Sequence, residues 1–345
     1  MPHRPLRIFL TAAVLLVVAR SAQGGTLYVG NDGTDSGGCG PKKFPCRSIS
    51  QAIANASVGD KILVGPGRYG DLDGSGTPGD SAGEETPAPG CGCMIAMNKN
   101  VVILSTNGAA ETLIDARTAD VNNNVLLITN GGEFGRPGKG FLVTETTHQQ
   151  GAGIAVDSNN VAIRGNQLIA AHPNAGALGI VAIFPGEVVV IEGNQVVNWN
   201  FAINVVGPGK TVRKNVVAMN STGIQVRDGV MVGNVAIGNA SGAGLQPVGT
   251  TNALRNAALG NTGPGISISN GFSGVVEKNN LFGNGDCGLF NFGINGAVAT
   301  DNYWGAATGP TVTDVCNLDI GMATATTVVA PFASKPFKIK PAIVP

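Results

Sequence analysis

The chain has 345 residues, of which 52 are glycine, about twice the usual share, while charged residues make up only 13%. Hydrophobic residues at 43% exclude wholesale disorder, and the glycines do not recur at every third position, which excludes collagen. Lys+Arg 22 balance Asp+Glu 22, so no basic excess points to a nucleic-acid partner.

The first element is a leader. His3, Arg4 and Arg7 precede an apolar run from Ile8 to Ala19, and Ala22 and Gly24 supply the small residues of a cleavage site. Residues 1–24 read as a secretory signal peptide, with an uncleaved anchor as the rival. No later run approaches the roughly 20 apolar residues of a membrane span. Cleavage removes three arginines and no acid, so the expected product is a mildly acidic monomer outside the cytoplasm, extracellular or periplasmic.

Residues 25–60 form the expected N-terminal cap. Ser48 to Gln51 is a capping box, Ile49, Ala52, Ile53 and Ala56 share one helical face, and Gly59 ends the helix. Export makes the six cysteines disulfide candidates. Cys39 and Cys46 bracket a short Gly/Pro loop and favour a local bridge, and Cys287 with Cys316 is the second expected pair. Cys91 and Cys93 are separated by one residue, which is awkward for a bridge, yet no second Cys/His pair stands at zinc spacing, so no metal site is expected. Residues 71–90 read as a flexible insertion. They open with Asp71-Leu72-Asp73-Gly74, like a calcium loop, but the twelfth position is Ala82 rather than the bidentate Glu such a loop needs.

Residues 61–310 are repetitive. Asn166, Asn194, Asn215, Asn234, Asn256, Asn279 and Asn302 are spaced by 28, 21, 19, 22, 23 and 23 residues. A second column is read at Asn200, Asn220, Asn239, Asn261 and Asn284, followed by a small residue and an apolar pair such as Gly223-Ile224-Gln225-Val226. Each copy holds short apolar runs that cannot bury a face alone, so the copies must stack as coils of a solenoid. An Asn at each bend can take the left-handed backbone region and bond the amide of the next coil. The Leu-x-x-Leu-x-Leu of a leucine-rich repeat is absent, which leaves an all-β, single-stranded parallel β-helix of 10 to 12 coils. After Pro310 the repeat dissolves into a tail, residues 311–345.

The order of the YVGNDG start, the PCRSISQAI helix, GDKILVGPGRY, VVILSTNGAAETLIDA and the Gly-Ile coils resembles the right-handed parallel β-helix superfamily over residues 26–310. Its best-known members are pectate lyases, polygalacturonases and related polysaccharide enzymes. The resemblance implies the fold and leaves function to the site.

In Gly-Ile-x-Val-x the Ile and Val point inward, so the x positions face solvent. Asp157, Asn204, Gln225, Arg227 and Gln246 are therefore the candidate ligand-binding residues, a polar strip suited to sugar hydroxyls. Asp157 and Arg227 lie three coils apart, roughly 14 Å, too far for one lyase site. No paired Asp motif of a hydrolase stands in the coils. The remaining candidate catalytic residues are His148 and His172, 24 residues apart, with Glu145 and Arg227. Long intervals at 131–150 and 166–194 are expected to bulge and to wall a cleft over residues 140–230 with Glu133, Arg136, Glu145 and the histidines. The balance favours a secreted carbohydrate-binding or surface module without a cofactor, against a lyase, hydrolase or epimerase with a divergent site.

Overall fold

A computed structural model describes residues 24–120, 124–145, 151–171, 176–184, 188–293, 296–319 and 325–340. The leader falls outside them except for Gly24. From Lys61–Val64 to Leu289–Asn291 each coil contributes one strand to each of three parallel sheets: sheet A, from Thr26–Val29 to Val276–Glu277; sheet B, from Gly67–Gly70 to Asn280–Phe282; and sheet C, from Cys93–Met97 to Val315–Asn317. Among the described residues the sheets hold 10, 9 and 10 strands, and the fold is a right-handed parallel β-helix.

Stacking of like residues builds the core. On sheet C, Ile95, Leu126, Ile154, Ile180, Ile203, Ile224 and Leu245 lie in register and are buried. On sheet B the same inward column begins with Tyr69 and Ile114 and ends with Ala236, Ala258 and Leu281. Because the strand period is two, the alternate residues face outward, and a slip of one would expose every Ile of the column.

The bends between sheets A and B carry the ladder. Asn194 Nδ2 donates to the Ile163 carbonyl and to Asn215 Oδ1, both at 3.0 Å, while Asn215 Oδ1 also accepts from the Asn194 backbone N–H at 2.9 Å. The pattern repeats from Asn166 to Asn302, and all seven Asn are buried. One expectation is corrected: the left-handed residue precedes the Asn, at Gly165, Gly193, Lys214, Gly233, Arg255, Lys278 and Asp301. That frees the Asn side chain to turn inward and saturate its amide. The second column, between sheets B and C, runs through Asn220, Asn239, Asn261 and Asn284. Its next member upstream is Trp199 and not Asn200, since Asn220 Oδ1 accepts from the Trp199 N–H at 2.9 Å.

The helix Ile49–Asn55 begins at Ser48, whose side chain accepts from the Gln51 N–H, and buries Ile49, Ala52 and Ile53. The segment 71–90, read as a flexible insertion, folds around its own carboxylates. Glu85 accepts from the Ile49 and Ser50 amides at 2.8 and 2.7 Å, and Glu84 accepts from the amides of Leu72, Asp73, Gly79 and Ser81. At the other end Val315–Asn317 adds the last strand of sheet C, and the tail returns along the ladder side, where Phe337 is bonded to Asn280.

Candidate functional site

Sheet C orders its outward residues by the same register that buries its isoleucines. Ala155, Val181, Asn204, Gln225 and Gln246 form one column. Gln225 Nε2 donates to Gln246 Oε1 at 3.0 Å, and the buried Asn204 Oδ1 has no donor. Arg227 stands two residues along from Gln225, exposed, in register with Val206 and Val248. Asn204, Gln225, Gln246 and Arg227 are thus brought together, and Asp157 is not.

Asp157 belongs to a polar cleft of about 390 Å³ at the bend between sheets C and A, lined also by Asn100, Thr129, Asn130, Ser158 and Asn160. Ser158 Oγ accepts from the Gly131 N–H at 2.7 Å, and Asn160 takes a left-handed φ of 56°. The chain reverses here on short polar side chains that bond their own backbone, which leaves amides and hydroxyls at the surface. Sequence reading found Asp157 alone. The missed signal was the recurrence of Asn at this bend in three successive coils, at Asn100, Asn130 and Asn160. Between the cleft and the amide column, Ile183 and Phe184 are 48% and 45% exposed, an apolar step of the kind that packs on a sugar face.

Among the described residues, Glu133 and Glu145 are turned away from the expected wall. Glu133 lies on a sheet A strand, and Arg136 at 2.5 Å and Arg164 at 2.8 Å neutralise it. The series continues through Glu192 to Arg213 and Lys214, at 2.7 and 3.2 Å. Burial would raise the Glu133 and Glu192 carboxyls, but hydrogen bonds from these cations outweigh it and hold both below the usual range. Glu145 is buried, and both its oxygens accept from the Ala171 N–H at 2.7 and 2.8 Å, so it fixes the backbone at Ala171. His148 and His172 lie outside the described residues.

Asp115 escaped sequence reading. It is buried between Arg68 at 2.7 Å and Arg117 at 2.8 Å; burial opposes ionisation, but the hydrogen bonds from Arg117 and Arg68 prevail and hold the carboxyl well below the usual carboxylate range. Arg68 also donates to the Leu72 and Asp71 carbonyls, so this cluster staples the base of the 71–90 loop.

Cys39 is bonded to Cys46, as expected, and Cys91 to Cys93. Cys287 and Cys316 are free thiols, which corrects the second expected pair. Burial, then a hydrogen bond with Cys316, push the Cys287 thiol up, and a thiol held protonated is the unreactive form. Among the described residues, Asp71, Asp73 and Glu84 come close enough to share a cation, but these carboxylates already accept backbone amides or hydroxyls.

Three parallel sheets and a continuous Asn ladder define the right-handed parallel β-helix fold. Within it, residues 137–308 match the model of a family described as periplasmic copper-binding protein (NosD). The crystal structure of a pectate lyase aligns with a TM-score of 0.55 at 15% identity, covering 91% of this chain and 79% of that one. A rhamnogalacturonan lyase aligns at 0.44 with 12% identity, covering 89% and 88%, and a lacto-N-biosidase from Eubacterium ramulus at 0.42 with 12% identity, covering 91% and 68%. Similarity at this level speaks for the fold alone. No curated protein matches the chain. No helix among the described residues is long and apolar enough to cross a membrane.

Proposed function

We propose that this chain is an exported β-helix that binds carbohydrate on the outward face of sheet C, without turning it over. The observation that carries the reading is the register-aligned amide column Asn204–Gln225–Gln246, flanked by exposed Arg227 and continued by the apolar step at Phe184 to the Asp157 cleft. From Asp157 to Gln246 is four coil intervals, about 19 Å at the spacing of adjacent strands, which suits an extended oligosaccharide. Amides offer both donor and acceptor to each hydroxyl. Acid–base turnover needs two groups within reach of one bond, and the described carboxylates nearest this face stand apart or are spent on backbone amides.

The matching family is described as copper-binding and periplasmic, which supports an address in the periplasm. Copper favours imidazole, thiolate and thioether donors. Among the described residues, the close groups of possible ligands are Asp35 with the disulfide-bonded Cys39 and Cys46, and the all-carboxylate Asp71, Asp73 and Glu84. That donor set does not fit copper.

Calorimetry against a panel of pectins, alginates and neutral glycans, with product followed by ultraviolet absorbance and reducing ends, tests the reading. Saturable binding without product is expected. Product formation abolished by His172→Ala would replace it with the enzymatic alternative.

A further inference from the structure

Sheets A and B meet at a corner that repeats one device, a left-handed residue followed by a buried ladder Asn. Glycine fills the left-handed position at Gly193 and Gly233 at no steric cost, but Lys214 and Arg255 fill it at φ 55° and 53°. Both are exposed, and Asn215 and Asn256 beneath them are fixed by the ladder. The C-terminal segment runs along the same corner. The Phe337 N–H donates to Asn280 Oδ1 at 2.9 Å, and its carbonyl accepts from Asn280 Nδ2 at 3.0 Å, which holds Lys338–Lys340 in place.

Corner and tail enclose a groove of about 300 Å³ whose polar walls are Arg213, Lys214, Arg255, Lys338 and Lys340, with Val232 and Ile339 as apolar surface. Among the described residues no acidic side chain lines it. Glu192 engages Arg213 and Lys214 from the sheet A side, whereas among the described residues Arg255, Lys338 and Lys340 have no carboxylate partner. Arg213 Nε is buried and has no acceptor. In a chain whose acids and bases balance at 22 each, Arg255, Lys338 and Lys340 bring three uncompensated cations to one groove, and they repel one another until an anion enters.

We propose that this corner is a second ligand site that binds the oxyanions of an acidic polysaccharide. The guanidinium group of Arg255 grips a carboxylate or sulfate ester through paired N–H donors, Lys338 and Lys340 act as point charges, and Val232 and Ile339 meet the C–H face of the sugar. The site is on a different corner from the amide column and stands or falls independently of it.

The test is binding of polygalacturonate, dextran sulfate, neutral dextran and single-stranded DNA to the whole chain, wild type against Arg255→Gln/Lys338→Gln/Lys340→Gln. These side chains are exposed, and an unchanged melting curve checks the fold. At least a tenfold loss of affinity for polygalacturonate or dextran sulfate is expected in the triple variant. The same loss is expected for wild type at high salt, while neutral dextran does not bind the groove. Whichever of the two polyanions binds identifies the oxyanion as carboxylate or sulfate. Gln225→Ala should leave this salt-sensitive component intact, so the two sites fail separately. Equal affinity of the triple variant, tighter binding of DNA, or full competition by inorganic phosphate at the concentration of the sugar acid would overturn the proposal.

Discussion

Replacing Asn234 with Leu removes four hydrogen bonds at one point of the stack. Its Oδ1 accepts from the Asn215 N–H and from Asn215 Nδ2, both at 3.0 Å, and its Nδ2 donates to the Val212 carbonyl at 2.9 Å and to Asn256 Oδ1 at 3.0 Å. Some partners keep a second bond: Asn215 Nδ2 still reaches the Ile191 carbonyl, and Asn256 Oδ1 still accepts the Asn234 backbone N–H. The buried Asn215 N–H loses its acceptor and the Val212 carbonyl loses a donor. At about 1–3 kcal/mol for each of these two buried groups, the cost is about 2–6 kcal/mol. Leucine is apolar and similar in size, so the loss reports the bonds and not a cavity. Urea unfolding followed by circular dichroism at 25 °C measures it, with Asn159→Leu on the exposed bend as the control, expected within about 0.5 kcal/mol. A loss at Asn234 no larger than at Asn159 would refute the ladder as a source of stability.

Stability should fall on acidification through Asp115, Glu133 and Glu192. Their folded-state pKa values are depressed, so their contribution is complete above the unfolded values near about pH 4 and is lost as pH falls through the folded ones. Asp115→Asn should lower the urea midpoint at neutral pH and flatten its decline below about pH 4; a parallel decline would remove Asp115 from the account. Cys39→Ala opens a bridge with a sequence separation of 7 and should cost about 2–3 kcal/mol; an unchanged urea midpoint would mean that the cap is held by its helix alone. Millimolar calcium, or its chelation, should leave Tm unmoved, because Glu84 is satisfied by four amides. A calcium-dependent rise would reassign the 71–90 loop as a cation site.

The fold was legible because a solenoid writes its period into the chain. The spacing of Asn166 to Asn302 gave the coils, and alternation around Ile224 and Val226 gave the inward face. Trp199 was invisible as a ladder member because the bend accepts any residue whose backbone N–H can reach Asn220 Oδ1. The site was less legible, since it depends on which corner a residue reaches. Glu133 and Arg136 stood in a long interval and read as a wall, yet strand pairing turns Glu133 onto sheet A. Asp115 and Arg68 are 47 residues apart and meet only because sheet B stacks their coils. Lys338 and Lys340 join Arg255 across an even longer separation, through a tail that follows no repeat.

Calorimetric titration of an oligosaccharide from the glycan panel into wild type and into the Gln225→Ala/Arg227→Ala double variant tests the central claim most directly, with ultraviolet absorbance and reducing ends read on the same samples. Loss of a hydrogen bond at each of two ligand-facing side chains, at about 1 kcal/mol apiece, predicts a tenfold or greater rise in Kd with an unchanged melting curve and no product. Equal affinity of the double variant would contradict binding on sheet C, and product formation by wild type would contradict a purely binding role.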